Sequence, residues 1–74
     1  MKTQSTSETL EPLTPREQRI LALLAAHPGV ENLELAGWMK IKEGTLKVYL
    51  SRLFDKTNMP NRTALTVWAR ENHV

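Results

Sequence analysis

Residues 13–29, LTPREQRILALLAAHPG, contain both the beginning and the end of a helix. Thr14 can accept a hydrogen bond from the third helical amide, and Glu17 can reach back to the amide of Thr14. Pro15 suits the first helical position, where a missing N–H donor costs nothing. The sequence His27-Pro28-Gly29 then stops the helix. Its apolar face comprises Ile20, Leu21, Leu23 and Leu24. An amphipathic helix of this kind must bury that face against other elements of the chain.

A second helix is predicted from Asn32 to Met39. Its buried seam comprises Leu35, Ala36 and Met39, which follow the spacing of one helix face. Gly37 weakens this short helix by roughly 1 kcal/mol relative to alanine. Its stability must therefore come from tertiary packing. Lys40-Ile41-Lys42 forms a tight connection to the next element, with Ile41 directed into the core.

Two more helices follow. EGTLKVYLSRLFDK, residues 43–56, has the apolar periodicity of an amphipathic helix. Asn58-Met59-Pro60 ends it, and Asn61 can cap a fourth helix over residues 62–72. The fourth helix carries Leu65, Val67, Trp68 and Ala69. No segment alternates strongly enough to predict a strand, so the fold class is all-α, with four short helices.

The chain of 74 residues is long enough for one domain, which we place at residues 13–74. Residues 1–12 are polar and are predicted to be a disordered tail or linker. The chain has no cysteine, and His27 and His73 are isolated, so neither a metal nor any other cofactor is expected. No apolar run approaches the roughly 18 residues that cross a bilayer, and MKTQSTSETLEP is too polar for a signal peptide. We therefore expect a cytoplasmic protein without membrane contact.

Positive charge is concentrated in the middle of the chain. Residues 1–39 contain three basic and five acidic residues, a net charge of −2, whereas residues 40–62 contain six basic and two acidic residues, a net charge of +4. This segregation favours a polyanionic partner. A solvated lysine-rich face is the simpler alternative.

The predicted third helix has an unusual outward face. With Leu50 at the centre of the buried side, a step of about 100° per residue places Leu46, Leu53, Phe54 and Thr57 near it. The outward side chains are Thr45, Val48, Ser51, Arg52 and Asp55, flanked by Lys47 and Tyr49. A single exposed valine is ordinary by itself. However, a short helix, a lysine-flanked turn and a helix with a slim outward face match a helix-turn-helix, whose second helix enters the major groove.

Several spaced motifs make the match more specific. The segments LTPREQRILALLA, NLELA, TLKVYLSRLFDK and PNRTALTVWA, with Ile41 in the turn, resemble the LuxR/GerE-type (LuxR/FixJ family) DNA-binding domain of bacterial transcription regulators. The resemblance runs from Leu13 to about Ala69. It implies a four-helix bundle that binds double-stranded DNA sequence-specifically, most often as the output domain behind a receiver or ligand-sensing domain. It also implies a homodimer on DNA and RNA polymerase as a further partner, with no small-molecule ligand in this segment.

The resemblance also implies roles for individual residues. The residues expected to contact bases are Lys47, Val48 and Ser51. The basic segment and the resemblance together place Lys40, Lys42, Thr45 and Arg52 on phosphates, with Lys47 adding charge there. The fourth helix would supply a dimer interface of Ala64, Val67 and Glu71. Arg62, from the Asn-Arg-Thr motif, would tie the fourth helix to the core.

The sequence departs from the family pattern at several positions. Lys42 stands where the family usually has a serine cap, so the third helix is expected to begin less firmly. Leu33 replaces a common lysine, Tyr49 replaces a histidine, and the loop over residues 27–31 is about two residues longer than usual. These departures concern affinity and the preferred DNA sequence rather than the fold.

Two alternatives remain open. The promoter-reading module of bacterial sigma factors uses a related helix-turn-helix, and a protein-interaction domain could use the basic helix on an acidic partner. An enzyme is not expected, because the sequence has no acid–base pair, no serine beside a histidine and no glycine-rich phosphate loop. Of the two tryptophans, Trp68 is expected at the edge of the core. Trp38 is expected to point partly outward, and partial burial against its own helix is favoured over covering the N-terminal tail or contacting another domain.

Overall fold

The computed structural model describes residues 13–72 and contains four helices in this range. The helices are α1 (Pro15–Ala26), α2 (Asn32–Met39), α3 (Glu43–Thr57) and α4 (Arg62–Glu71). The predicted all-α class is confirmed. The bounds of α2 agree with the prediction, α3 is one residue longer, and α4 ends one residue earlier, at Glu71. The predicted tail over residues 1–12 lies outside the described residues.

The start of α1 has the predicted capping arrangement. The Glu17 amide donates to Thr14 Oγ1 at 3.2 Å, and the Thr14 amide donates to Glu17 Oε1 at 2.9 Å. The two bonds satisfy backbone donors that the first turn of a helix leaves without partners. At the other end, the His27 amide donates to the Leu23 carbonyl at 2.8 Å, and the chain leaves the helix there as expected.

The core lies where the apolar faces of the four helices meet. Its buried apolar residues are Ile20, Leu21, Leu24, Val30, Leu35, Ala36, Met39, Leu46, Leu50, Leu53, Leu65 and Ala69. Helix α1 packs chiefly against α4, and α2 packs chiefly against α3. Trp68 is half-buried at the edge of this core, as predicted, whereas Ile41, which was expected inside the core, is only half-buried and packs against it. The α2–α3 pair is thus held as a helix-turn-helix on a support formed by α1 and α4.

The turn between α2 and α3 depends on one unusual backbone conformation. Lys40 has φ 59° and ψ 44°, in the left-handed region. This conformation lets the Lys40 amide donate to the Gly37 carbonyl at 3.1 Å and the Ile41 amide donate to the Ala36 carbonyl at 3.0 Å. A side chain other than glycine or asparagine is costly there. The closure of α2 therefore compensates for some backbone strain at Lys40.

Two partly buried polar contacts tie distant parts of the chain together. Lys56 Nζ, at the end of α3, donates to Glu17 Oε1 at 2.7 Å, and Glu17 is only 2 % exposed. The Arg62 guanidinium donates to the carbonyl of Val30 in the α1–α2 loop, in agreement with the expected role of Arg62. The contact between residues 17 and 56 was not predicted, because nothing in local spacing links positions 39 residues apart.

Candidate nucleic-acid interface

The outward face of α3 is the most distinctive exposed surface of the helix-turn-helix. Its exposed side chains are Thr45, Lys47, Val48, Ser51, Arg52 and Asp55, with Tyr49 half-buried at its border. Val48 is 52 % exposed although it is apolar. The predicted division of α3 into a buried and an outward side is confirmed. We use the name reading face for the exposed set of six residues.

The opposite side of α3 fixes the orientation of the reading face. Leu46, Leu50 and Leu53 are buried in the core. Thr57 is also buried, and its hydroxyl donates to the Leu53 carbonyl at 2.7 Å, so burial leaves this polar group satisfied. Three leucines on one side and an anchored final turn hold the helix in one rotational setting. The reading face is therefore presented by a rigid element.

The beginning of α3 receives no side-chain cap, and its first turn contains one carboxylate, that of the half-buried Glu43. Lys42 occupies the capping position and makes no hydrogen bond from its side chain to the first turn, as its substitution for serine predicted. The N-terminal amides of a helix carry partial positive charge and favour anions. The exposed side chains of Lys40 and Lys42 flank this end of the helix. The helix amides and the two lysines thus contribute positive charge, which the Glu43 carboxylate partly offsets.

Four of the six basic residues of the segment 40–62 lie on the surface around α3. Lys40, Lys42, Lys47 and Arg52 are exposed, and within residues 13–72 no ion pair is formed by any of them. The other two, Lys56 and Arg62, are half-buried and hold Glu17 and the α1–α2 loop. The sequence-level charge count therefore overstates the cationic surface. Only the tertiary packing distinguishes Lys56 and Arg62 from the four exposed basic residues.

Burial and hydrogen bonding act in opposite directions on Glu17. Burial raises the pKa of this carboxyl, but the hydrogen bond from Lys56, the hydrogen bonds from Thr14 and the attraction of the Lys56 charge together bring the pKa below its ordinary value. Glu17 is therefore ionised at neutral pH and its charge is compensated locally. It acts as a structural group beneath α3 rather than as part of the reading face.

The residues predicted for a dimer interface lie on the outer side of α4. Val67 is 48 % exposed, Glu71 is exposed and Ala64 is half-buried. Their spacing of three and four residues places them along one stripe of the helix. The other side of α4 is buried through Leu65, Thr66 and Ala69. Helix α4 thus has one side in the core and one available to a partner.

Two large apolar residues on α2 are also exposed. Leu33 is 67 % exposed and Trp38 is 42 % exposed, the latter as predicted. The Trp38 ring meets the His27 ring edge-on, with ring centroids 4.9 Å apart. Trp38 also borders a cleft with Arg16, Arg19 and other residues, which the sequence did not reveal. Leu33 and Trp38 therefore give α2 an apolar surface that the other described residues leave uncovered.

Within residues 13–72, no helix is long and apolar enough to cross a membrane. The same range contains no group of three or more histidine, aspartate and glutamate side chains arranged to hold a metal ion. The side chains around α3 supply hydroxyl groups, positive charge, the carboxylates of Glu43 and Asp55, and the exposed apolar surface of Val48.

Comparison with known proteins relates the chain to a family of bacterial regulatory proteins. The family model of bacterial regulatory proteins of the luxR family, GerE, matches residues 11–69. The chain is 31% identical over 70 residues to the nitrate/nitrite response regulator protein NarL of Escherichia coli, covering 95% of this chain and 32% of that protein. It is 42% identical over 60 residues to the CsgBAC operon transcriptional regulatory protein of Escherichia coli, covering 81% and 27%.

A third relative is the probable transcriptional regulator ycf29 of Pyropia yezoensis, 39% identical over 62 residues that cover 84% of this chain and 27% of that protein. The chain therefore spans about a third or less of the length of these relatives. No solved structure matches the chain significantly.

Proposed function

This chain belongs to the luxR family of bacterial regulatory proteins and contains its DNA-binding domain, and we propose that α3 reads DNA sequence from the major groove. The observation that carries the proposal is the reading face, an exposed and slim helix surface whose orientation is fixed by three buried leucines. The major groove of B-DNA is about 12 Å wide and admits one α-helix. Short side chains on the leading surface allow a close approach to the bases.

Three residues of the reading face have the chemistry for base contacts. The Lys47 ammonium can donate to guanine O6 and N7, and the Ser51 hydroxyl can donate or accept. The Val48 side chain can contact a thymine methyl group, which gives its exposure a use. These three residues set the sequence preference in this proposal.

The phosphate contacts come from the border of the reading face and from the turn before it. Lys40, Lys42 and Arg52 supply charge, Thr45 supplies a hydroxyl, and the uncapped amides at the start of α3 supply donors. Contacts of this kind provide most of the affinity and release counterions from DNA. Binding should therefore weaken steeply with salt.

Two copies bind together in this proposal, through the outer stripe of α4. The support is the exposure of Val67 and the location of Ala64 and Glu71 on the same stripe, on a helix whose other side is buried. A two-fold symmetric dimer reads two half-sites in inverted orientation. Each half-site would then receive one copy of α3.

The biological role in this proposal is regulation of transcription in the cytoplasm, with RNA polymerase as a second partner. The relatives named transcriptional regulators and response regulators support this role for the domain.

Selection of bound sequences from a pool of random duplexes tests the proposal. We expect enrichment of an inverted repeat, and retention that falls as salt increases. In the same assay, Val67→Arg should convert cooperative pairing on the selected site into stepwise monomer binding. Ala26→Arg, which adds the same charge at an exposed position at the end of α1, should leave cooperativity unchanged. A pool that shows no enrichment and no salt-dependent retention would contradict DNA recognition and favour a protein partner instead.

A further inference from the structure

A second surface lies between the N-terminal half of α1 and the C-terminal end of α2. This cleft has a volume of about 430 Å³. The residues that line the α1–α2 cleft are Pro15, Arg16, Arg19, Trp38, Met39 and Lys40. Apart from Lys40, none of them belongs to the surface proposed to contact DNA.

The lining combines an apolar centre with a cationic border. Trp38 is 42 % exposed and is held from one side by His27, so part of the indole remains available to another group. Arg16 and Arg19 are exposed, and within residues 13–72 neither forms an ion pair or a side-chain hydrogen bond. The neighbouring carboxylate of Glu17 is directed to Lys56 instead. A cleft with this lining suits an apolar side chain accompanied by carboxylates.

The chain itself contains a segment of that chemistry immediately before α1. Residues 8–11 have the sequence Glu-Thr-Leu-Glu, so Glu11 follows Leu10 directly and Glu8 lies two residues before it. We propose that Glu8–Glu11 occupies the α1–α2 cleft, with Leu10 against Trp38 and the two carboxylates facing the arginines and Lys40.

The length of the connection favours this occupant. Pro15, which follows the segment by four residues, is itself part of the lining. An extended chain advances about 3.3 Å per residue, so Leu10 can reach roughly 16 Å from Pro15, enough to cross the cleft. A short tether of this kind gives an effective concentration in the mM range, which allows a weak contact to be populated. Duplex DNA would match the cations but offers phosphates and no apolar side chain for Trp38.

The docked segment would also affect Lys40. This lysine belongs both to the α1–α2 cleft and to the proposed phosphate contacts. A segment that neutralises Lys40 would compete with a duplex for it, and this consequence rests on the proposed function. Docking of the segment does not depend on the proposed function, so the experiment that tests it contains no DNA.

The indole N–H resonances of the full chain test the docking. The protein has two tryptophans, so Trp38→Phe identifies which of the two signals belongs to each ring. Leu10→Ala and the double change Glu8→Gln with Glu11→Gln should each shift the Trp38 signal and leave the Trp68 signal in place. Thr6→Ala, outside the proposed segment, is the matched control and should move neither signal.

Acrylamide quenching of Trp38 fluorescence, measured with Trp68→Phe as background, gives a second reading. Leu10→Ala should raise the quenching constant about twofold, as expected for a weak tethered contact that is populated much of the time. Arg16→Gln with Arg19→Gln should have the same effect from the other side of the contact. An unchanged Trp38 signal and quenching constant in these variants would overturn the proposal. Effects that appear only as protein concentration rises would also overturn it, and would indicate the segment of a second copy.

Discussion

The two helix pairs of this domain differ in how their ends are held. Helices α1 and α4 each begin with a side-chain cap, from Thr14 to the Glu17 amide and from Asn61 to the Ala64 amide at 2.8 Å. Helices α2 and α3 begin at Glu31 and Lys42, which give no side-chain cap. The starts of α1 and α4, the supporting pair, are therefore capped by side chains of the chain itself. The helix-turn-helix pair is left with free backbone donors, which suits a surface that meets an anionic partner.

Helix α3 belongs to both regions. Its last turn is anchored, because Lys56 pairs with the buried Glu17 and Thr57 bonds back to the Leu53 carbonyl. Its first turn is uncapped and surrounded by exposed lysines. The anchored last turn contributes to stability, whereas the proposed DNA contacts use the exposed first turn and the reading face, so substitutions should separate the two properties.

The largest effect on stability is expected from Glu17→Gln. Glutamine can keep the reciprocal cap with Thr14, but it removes the carboxylate charge that attracts Lys56 Nζ. We expect a loss of about 2–3 kcal/mol in the free energy of unfolding, less than the roughly 3–5 kcal/mol of fully buried pairs, because part of Lys56 remains in contact with water. Urea denaturation measures this loss. Glu34→Gln, at an exposed position on α2, should change stability by less than about 0.5 kcal/mol; equal effects at the two positions would remove the distinction between the helix pairs.

The pH dependence of stability should follow the same carboxyl. Glu17 has a folded pKa below its ordinary value of 4.5, so the unfolded chain binds the proton more readily. Its contribution is therefore complete above about pH 4.5 and is lost as the pH falls through the lower folded pKa. Denaturation curves across this range should converge for the original protein and Glu17→Gln as the solution becomes more acidic. A difference that stays constant with pH would show that the pair with Lys56 is not its source.

The cap comparison predicts smaller effects of opposite sign. Asn61→Ala should cost about 1 kcal/mol, because it removes the acceptor for the Ala64 amide. Lys42→Ser should stabilise the protein by roughly 0.5–1 kcal/mol by supplying the cap that α3 lacks. The same change should weaken binding to every duplex, since a charge is lost near phosphate. Thermal denaturation and DNA retardation together measure both properties; a destabilised Lys42→Ser variant would mean that the start of α3 is already satisfied in another way.

The smallest effects on stability are expected at neighbouring positions of the reading face. Arg52→Ala should reduce the slope of log affinity against log salt by about 1 and act equally on all duplexes, because one phosphate contact is lost. Ser51→Ala should leave the slope unchanged and alter the preferred sequence. Both should remain within about 0.5 kcal/mol of the original stability. If Ser51→Ala weakened binding uniformly across a site library, Ser51 would not contact bases.

Local signals in the sequence were enough to predict the four helices and the buried sides of α2 and α3, whereas the burial of Glu17 on α1 and of Thr66 on α4 was not anticipated. Thr14 and Asn61 mark helix starts through hydrogen bonds that span three residues, and the leucines of α3 follow a single periodic pattern. The contacts of Lys56 with Glu17 and of Arg62 with Val30 depend on how the helices pack, and only the role of Arg62 was anticipated, through the family resemblance. The α1–α2 cleft was missed for the same reason, since it joins residues from two helices.

We expect the reading face to contact the bases of duplex DNA while α1 and α4 support it. Backbone amide resonances recorded during titration with a selected duplex in dilute buffer report on this contact residue by residue. We predict that the largest shifts fall on residues 42–52, with only small shifts on the buried sides of α1 and α4. Unchanged amide resonances of the reading face at a saturating concentration of the duplex would contradict base recognition by α3.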